Sequence, residues 1–233
     1  MNLKDKTIVI TGATGGIGSV LSQKLKDLGA RVITVGRDQS KEATYHADLS
    51  DRNSRTELIH NIRQDYEKID ILINNAGIGY YDLLPEIEEN EWYQSYELNV
   101  HTPLILTKGL LPLLEKSSQS LVMNIGSVAG YTPKAGRTTY NSTKYALRGA
   151  TLCLASEYMD KNPSFTYIAL DSTLTPFGPW SLEQKMAKSE NGKIYLTTDW
   201  VSSELTKIIQ EANWMPEYTL SETDYGFGEW HKP

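Results

Sequence analysis

Thiol chemistry is nearly absent from this chain. Among 233 residues Cys153 is the one cysteine, which excludes an internal disulfide framework and any cysteine-cluster metal site. Histidine is scarce as well: His46, His60, His101 and His231 show no metal-ligand spacing, so no metal is expected. Long apolar runs are missing. None approaches the ~20 residues that a membrane span needs, and Met1–Lys6 has no apolar leader core. The expected compartment is the cytoplasm, with no membrane partner. An excess of positive charge is missing too. Lys plus Arg number 23 against 29 Asp plus Glu, a net charge of −6, which argues against nucleic acid as a partner. What is present, 39% hydrophobic and 22% charged residues, is the composition of a globular chain able to bury a core. No repeat or convincing linker divides it, so one domain over residues 1–233 is expected.

Apolar β-branched runs alternate with helical patterns. Strands are predicted at Thr7–Ile10, Arg31–Val35, near Ala43–His46, and at Ile69–Ile73, Ser120–Ile125, Phe165–Leu170 and Glu217–Leu220. Helices are predicted over Ile17–Leu28, with Val20, Leu21, Leu25 and Leu28 on one face, and over Asp51–Tyr66. A long one follows over Glu89–Lys116, kinked at Pro103, then Thr138–Asp160 and Trp200–Ala212. Strand and helix in alternation predict an α/β fold: a doubly wound parallel sheet of about seven strands with helices on both faces, three layers in all. Thr175–Thr198 fits no period and reads as a lid or substrate loop.

Thr11-Gly12-Ala13-Thr14-Gly15-Gly16-Ile17-Gly18 joins the first strand to the first helix. Glycines there let a phosphate approach the backbone, and the helix start supplies free N–H groups and a favourable dipole. Inside a βαβ unit this is a dinucleotide-binding turn. At the end of the second strand an acidic residue would bond the 2′-hydroxyl of NAD, whereas an Arg accommodates the 2′-phosphate of NADP. The sequence there is Val35-Gly36-Arg37-Asp38. Gly36 offers no carboxylate and Arg37 offers a phosphate partner, so NADP(H) is expected over NAD(H), with Asp38 as a competing group.

Tyr140 and Lys144 are four apart on a predicted helix and share a face. A nearby ammonium favours phenolate and moves a phenol from its usual pKa of about 10 toward working pH. Tyr140 can then exchange a proton with a carbonyl or alcohol oxygen. Ser127 ends a strand 13 positions earlier, where its hydroxyl can bond the same oxygen.

With these pieces in place the sequence resembles the short-chain dehydrogenase/reductase family, in its shorter single-domain branch. The matching motifs are Thr11-Gly12 with Gly16-Ile17-Gly18, Asp48-Leu49, Asn74-Asn75-Ala76-Gly77, Asn99-Val100, Ser127, and Tyr140 with Lys144. The resemblance implies a Rossmann-type sheet and hydride transfer between a nicotinamide cofactor and a carbonyl or secondary alcohol. It implies Tyr140 as acid/base and Lys144 as the residue that holds the nicotinamide ribose and lowers the Tyr140 pKa. Ser127 would orient the carbonyl, and Asn99 would support a water that relays protons to Lys144. A plain buried amide is the other reading of Asn99. Gly12, Thr14, Gly15, Gly16, Ile17 and Gly18 would form the phosphate turn. Asp48 and Leu49 would flank the adenine, and Asn75, Ala76 and Gly77 would line the cofactor. Thr173 and Thr175 would touch the nicotinamide side. Leu170 and Asp171 stand where the family has Pro-Gly. The segment after Arg37 is short, so the adenine-side wall is expected to be reduced. Gly12, Gly15 and Gly18 also fit the longer branch with its epimerases and dehydratases; chain length and Asn74–Gly77 favour the shorter one. A nucleotide-sensing binding protein on the same fold is a further alternative.

Tyr80, Tyr81, Tyr131, Phe177, Trp180 and Tyr195 form the expected substrate wall, suited to an apolar or aromatic carbonyl compound. Lys134 and Arg137 are expected near the cleft mouth, either as steering charges or as ordinary surface charges. The resemblance implies a homodimer or homotetramer packed through the Glu89–Lys116 and Thr138–Asp160 helices. Tyr145, Leu152, Leu154 and Tyr158 of the latter would serve core and interface, with Cys153 as a small packed hydrophobe.

Overall fold

The structure, a computed structural model, describes residues 1–211 and 213–224. Seven parallel strands form one sheet: β1 (Thr7–Thr11), β2 (Arg31–Gly36), β3 (Tyr45–His46), β4 (Ile71–Asn74), β5 (Leu121–Ile125), β6 (Ser164–Leu170) and β7 (Glu217–Leu220). Their order is β3-β2-β1-β4-β5-β6-β7. The helices are α1 (Gly16–Asp27), α2 (Arg52–Asp65), α3 (Glu89–Tyr96), α4 (Thr102–Leu114), α5 (Thr138–Glu157), α6 (Leu182–Glu190) and α7 (Thr198–Gln210).

Side-chain alternation along the central strands builds two cores. Ile8 and Ile10 of β1, Ile71 and Ile73 of β4, and Met123 of β5 meet Leu21 and Leu25 of α1 and Leu205 and Ile209 of α7 on one face. Val9, Leu72 and Val122 point the other way, onto Leu58 and Ile62 of α2 and Leu106 and Leu110 of α4. Both faces of the sheet are thus covered, which is why its strands read as continuous apolar runs. The result is the expected three-layer α/β arrangement. Val20 is half-buried and Leu28 is exposed, so the apolar face of α1 is narrower than its sequence pattern.

Three elements differ from expectation. The Glu89–Lys116 helix is divided: a π-type turn over Glu97–His101 separates α3 from α4, and Pro103 lies in the first turn of α4. The expected kink thus takes the form of a widened turn just before Pro103, which supplies no N–H to the helical ladder. Thr175–Thr198 contains α6, opened by a capping box in which Ser181 and Gln184 bond each other's backbone N–H. Cys153 is exposed on α5 rather than packed. The predicted helix end at Ala212, and His231, lie outside the described residues.

Strand order reverses between β1 and β4. β1 leads outward to β2 and β3; the chain then returns to β4 on the other side of β1. A crevice opens beyond the carboxyl ends of strands at such a reversal. Asn75, just past β4, closes its floor: Nδ2 donates to the carbonyls of Thr11 (2.9 Å) and Gly12 (3.2 Å).

Candidate active site

A cleft of about 830 Å³ lies over this reversal point. At one end is the glycine turn. Gly12 has φ +65°, and a Cβ there would come within 2.9 Å of Asn75 Nδ2. A Cβ on Gly18 would overlap the Gly12 carbonyl, so α1 presses directly on the turn. The helix has no side-chain cap and no acidic residue in its first turn. Its leading N–H groups and positive dipole end face the cleft uncompensated, which fits a phosphate-bearing cofactor.

Gly12, Gly15, Gly16, Ile17, Asn75, Ala76 and Gly77 line the cleft, as do Arg37, Thr173 and Thr175. Thr14 does not. Its side chain fills the space that a Cβ on Gly36 would need, and its carbonyl accepts from Lys41 Nζ at 3.1 Å. Gly36 therefore stays side-chain-free because Thr14 occupies its place, and no carboxylate fits at the end of β2. Arg37 and Lys41 line this end of the cleft. Asp38 is taken up by Ser40, whose N–H (3.0 Å) and hydroxyl (2.6 Å) it accepts. Asp48 is similarly taken by Ser50, and it is held below the usual carboxylate range by that hydroxyl, with Arg37 and Arg55 adding to the effect. Leu49 is buried, and its carbonyl accepts from Arg55 and Thr102. Asp48 and Leu49 brace the wall rather than line the cleft.

Leu170 and Asp171 continue the sheet. Leu170 pairs with Leu220, and the Asp171 N–H donates to the Leu220 carbonyl at 3.0 Å. Thr173 then bridges Leu196 in parallel. Lys185 of α6, buried, donates to the carbonyls of Thr175 (2.8 Å) and Phe177 (2.7 Å) and latches this segment over the cleft.

Tyr140, Lys144 and Ser127 converge on the cleft floor. Tyr140 and Lys144 face inward from α5 and are nearly fully buried. Burial pushes the Tyr140 phenol well up, and the neighbouring Tyr81 phenol adds to this, while a hydrogen bond from the Ser127 side chain and the nearby Arg137 act against it. Burial brings the Lys144 ammonium down to about 8. Its Nζ donates to the Ile125 carbonyl at 3.1 Å and lies 5.7 Å from the centre of the Tyr140 ring. The phenol is governed by burial, not by the ammonium expected to lower it.

Asn99 occupies the π-type turn. Its Nδ2 donates to Ile78 O (2.9 Å) and Thr143 Oγ1 (3.1 Å), and its Oδ1 accepts from Ile78 N (2.9 Å). The side chain clamps the backbone beside Gly77, the contact set of a buried amide.

Of the expected aromatic wall, Tyr81, Phe177, Trp180 and Tyr195 line the cleft. Tyr140 packs against Tyr81 (5.4 Å between ring centres) and Phe177 (5.8 Å), and Tyr81 in turn packs against Trp180 (5.6 Å). Tyr80 lines an adjoining recess and donates to Gln94. Tyr131 is exposed, with Arg148 over its ring, and does not line the cleft.

Sequence reasoning missed Tyr167. This fully buried residue of β6 accepts from the Ser127 N–H at 3.0 Å and donates to the Ser127 carbonyl at 2.9 Å. A Cβ on Gly126 or Gly130 would overlap its ring or hydroxyl. The two glycines around Ser127 were the available signal.

A sequence model of the short chain dehydrogenase family matches residues 6–185. The 3-oxoacyl-(acyl-carrier-protein) reductase FabG of Haemophilus influenzae is 32% identical over 178 residues, covering 72% of this chain and 74% of that protein. The 3beta-hydroxysteroid dehydrogenase of Mediterraneibacter gnavus is 28% identical over 236 residues, covering 91% and 84%. A short chain dehydrogenase of Shigella flexneri 2a complexed with NADP superposes with a TM-score of 0.81 at 22% identity, covering 94% of this chain and 97% of that one. No helix among the described residues is long and apolar enough to cross a membrane, and none of their His, Cys, Asp and Glu side chains form a group able to hold a metal. With this fold, this cleft and a family match over most of its length, the chain belongs to the short-chain dehydrogenase family, oxidoreductases that work between CH–OH and C=O groups.

Proposed function

We propose that the chain interconverts a carbonyl compound and its secondary alcohol with NADP(H), favoured over NAD(H), and that Tyr140 is the acid/base. The cofactor, when bound, supplies or accepts the hydride. The observation that carries the reading is the buried Tyr140 phenol beside Ser127 on the cleft floor. Burial keeps the phenol protonated, so it is ready to donate to a carbonyl oxygen. Ser127 donates to the same oxygen and stabilises charge as it develops there. Lys144 holds the nicotinamide ribose hydroxyls and supplies positive charge below Tyr140. Asn99 keeps the Gly77–Ile78 backbone in position. Gly12, Gly15, Gly16 and Ile17 cradle the phosphates, with Thr14 and Gly18 shaping the turn. Asn75, Ala76, Gly77, Thr173 and Thr175 line the nicotinamide side, with Asp48 and Leu49 behind the adenine.

The preference for NADP(H) is supported by the exclusion of a carboxylate at Gly36 and by Arg37 and Lys41 on the cleft wall. All 233 residues are read as one domain. Tyr93, Ile105 and Tyr145 on α3, α4 and α5 are exposed large side chains, which supports a homodimer or homotetramer packed through those helices. Light scattering tests this, and a monomer at working concentration overturns it.

The deciding experiment titrates the protein with NADPH and NADH by energy transfer from its five tryptophans. Arg37→Ala is expected to weaken NADPH by at least about tenfold while NADH changes little, the loss of one charge-assisted phosphate pair. Equal losses defeat the preference. Tyr140→Phe is expected to bind NADPH normally and to lose carbonyl reduction by at least about a hundredfold. Unaltered turnover removes the mechanism.

A further inference from the structure

The cleft end away from the glycine turn gathers positive charge, although the chain as a whole carries −6. Lys134 and Arg137 reach it from the segment before α5, Lys188 from α6, and Lys193 from the segment after α6. Among the described residues none of these four forms an ion pair with a carboxylate. Asp171 is the one described carboxylate that lines the cleft with them. The cations sense one another: Arg137, burial, Lys193 and Lys188 all disfavour the charged form of Lys134, and Asp171 only partly offsets them.

Without a carboxylate to meet, the cations rest on aromatic faces. The Arg137 guanidinium lies 4.4 Å from the centre of the Tyr81 ring, and Lys188 Nζ lies 3.4 Å from that of Trp180. Lys193 Nζ is 5.8 Å from the Tyr195 ring centre. A charge-assisted hydrogen bond to an oxyanion is stronger than a cation–ring contact at an accessible site, so an entering anion outcompetes the rings. The same rings connect the cations to the acid/base. Tyr140 packs on Tyr81, Tyr81 carries Arg137 and packs on Trp180, and Trp180 carries Lys188. Tyr140 and the Arg137 guanidinium thus contact the same Tyr81 ring. The cofactor's phosphates have their own partners at the opposite end, in the glycine turn with Arg37 and Lys41, which leaves these four cations for another ligand.

We propose that the substrate is a small anion, a carbonyl or alcohol compound whose carboxylate or phosphate group is held by Arg137 and Lys188 while its reacting carbon lies at Tyr140. Lys134 and Lys193 add to the attracting field, which low-dielectric cleft walls concentrate. The inference rests on the oxidoreductase reading above and names its substrate class.

The test compares matched ketones with NADPH and with NADH: benzoylformate against its methyl ester, 4-oxopentanoate against its methyl ester, and dihydroxyacetone phosphate against dihydroxyacetone. The anionic member is expected to show a kcat/KM at least about tenfold higher, with the advantage shrinking as salt screens the mouth. In Arg137→Gln/Lys188→Gln the ratio is expected to fall below about threefold. An advantage in the carboxylate pairs identifies a carboxylate, and one confined to the phosphate pair identifies a phosphate. Neutral members reduced as well as or better than the anions overturn the inference and leave the oxidoreductase reading intact. Turnover of a 3-oxoacyl thioester on an acyl carrier protein, with none of the free anions reduced, overturns it in favour of a protein-borne substrate. A protein that binds NADPH yet reduces none of these compounds defeats the oxidoreductase reading. The anion site is then judged by binding alone. Benzoylformate and dihydroxyacetone phosphate, but not the ester, are expected to change the fluorescence of the NADPH complex, and Trp180→Phe to remove the change. No change with either anion overturns the site.

Discussion

Two neighbouring groups on α5 are displaced in opposite directions by the same cause. Burial raises the Tyr140 phenol and lowers the Lys144 ammonium to about 8. Lys144 therefore loses its charge across mildly alkaline pH, and on the proposed reading the nicotinamide ribose then meets a weaker donor. NADPH binding is expected to be constant below about pH 8 and to weaken above it, whereas Lys144→Met binds weakly at every pH with no break near 8. A titration series in buffers of constant ionic strength checks this. Tyr167 holds the Ser127 backbone and is expected to act as a positioning residue through it. Tyr167→Phe leaves the Ser127 N–H and carbonyl without their partner, at a cost of about 1–3 kcal/mol. Reduction is expected to lose kcat while NADPH affinity is kept; an unchanged kcat in a destabilised protein leaves Tyr167 a purely structural role. The shared face of Tyr140 and Lys144 was legible in the sequence because a spacing of four on a helix fixes it, and Ser127 was placed by its position just past β5. Tyr167 was not, because its proximity to Ser127 follows from the pairing of β5 with β6, which no local spacing encodes.

Elements with a strong apolar period were legible in the sequence, whereas α6 was not. The helix α6 buries a single residue, Lys185, so it offers no apolar stripe. Its capping box, Ser181 with Gln184, was present in the sequence and is the signal that defines its start. What holds α6 in place is polar. Lys185 reaches back to the carbonyls of Thr175 and Phe177, and its burial depresses its pKa. Lys185→Met keeps the aliphatic stem and removes both bonds. Residues 175–190 are expected to be cleaved several-fold faster in limited proteolysis, with the sheet core as resistant as before. Equal cleavage rates count against the latch. The widened turn between α3 and α4 was not foreseen: it ends at His101, two residues before Pro103, and proline is the feature that sequence offers as a cause of a bend.

At the scale of the molecule the sheet is pinned at the seam between β1 and β4. Asp70, fully buried at the amino end of β4, accepts from the Thr7 N–H (2.9 Å) and the Ser117 hydroxyl (2.7 Å) and pairs with Lys6 (3.1 Å). Burial alone would raise its pKa, but the bonds from Thr7, Ser117 and Lys6 outweigh it and leave the carboxyl below its ordinary value. A depressed folded pKa stabilises above the unfolded value and ceases to do so as pH falls through the folded one. Asp70→Asn is expected to lose about 1–3 kcal/mol at pH 7, a figure kept modest by the partial exposure of its lysine partners. The gap to the parent protein is expected to close below about pH 4. Urea midpoints at pH 7 and pH 3.5 measure both; a gap independent of pH removes the charge argument. The order of the sheet was legible as a class, since alternating strands and helices allow few topologies, whereas the side chains that meet at the seam were not. That seam has a consequence for descent. On the proposed reading the groups that select the adenine end of the nucleotide belong to β1, β2 and the turns after them, and those that meet the substrate follow β4 (Tyr81), β5 and β6. Between the two lies a ladder of three residue pairs, Ile8–Ile71, Val9–Leu72 and Ile10–Ile73. A lineage can therefore exchange one set of recognition residues while inheriting the other unchanged, and hybrids joined just after β4 offer a direct way to shuffle electron donor and substrate.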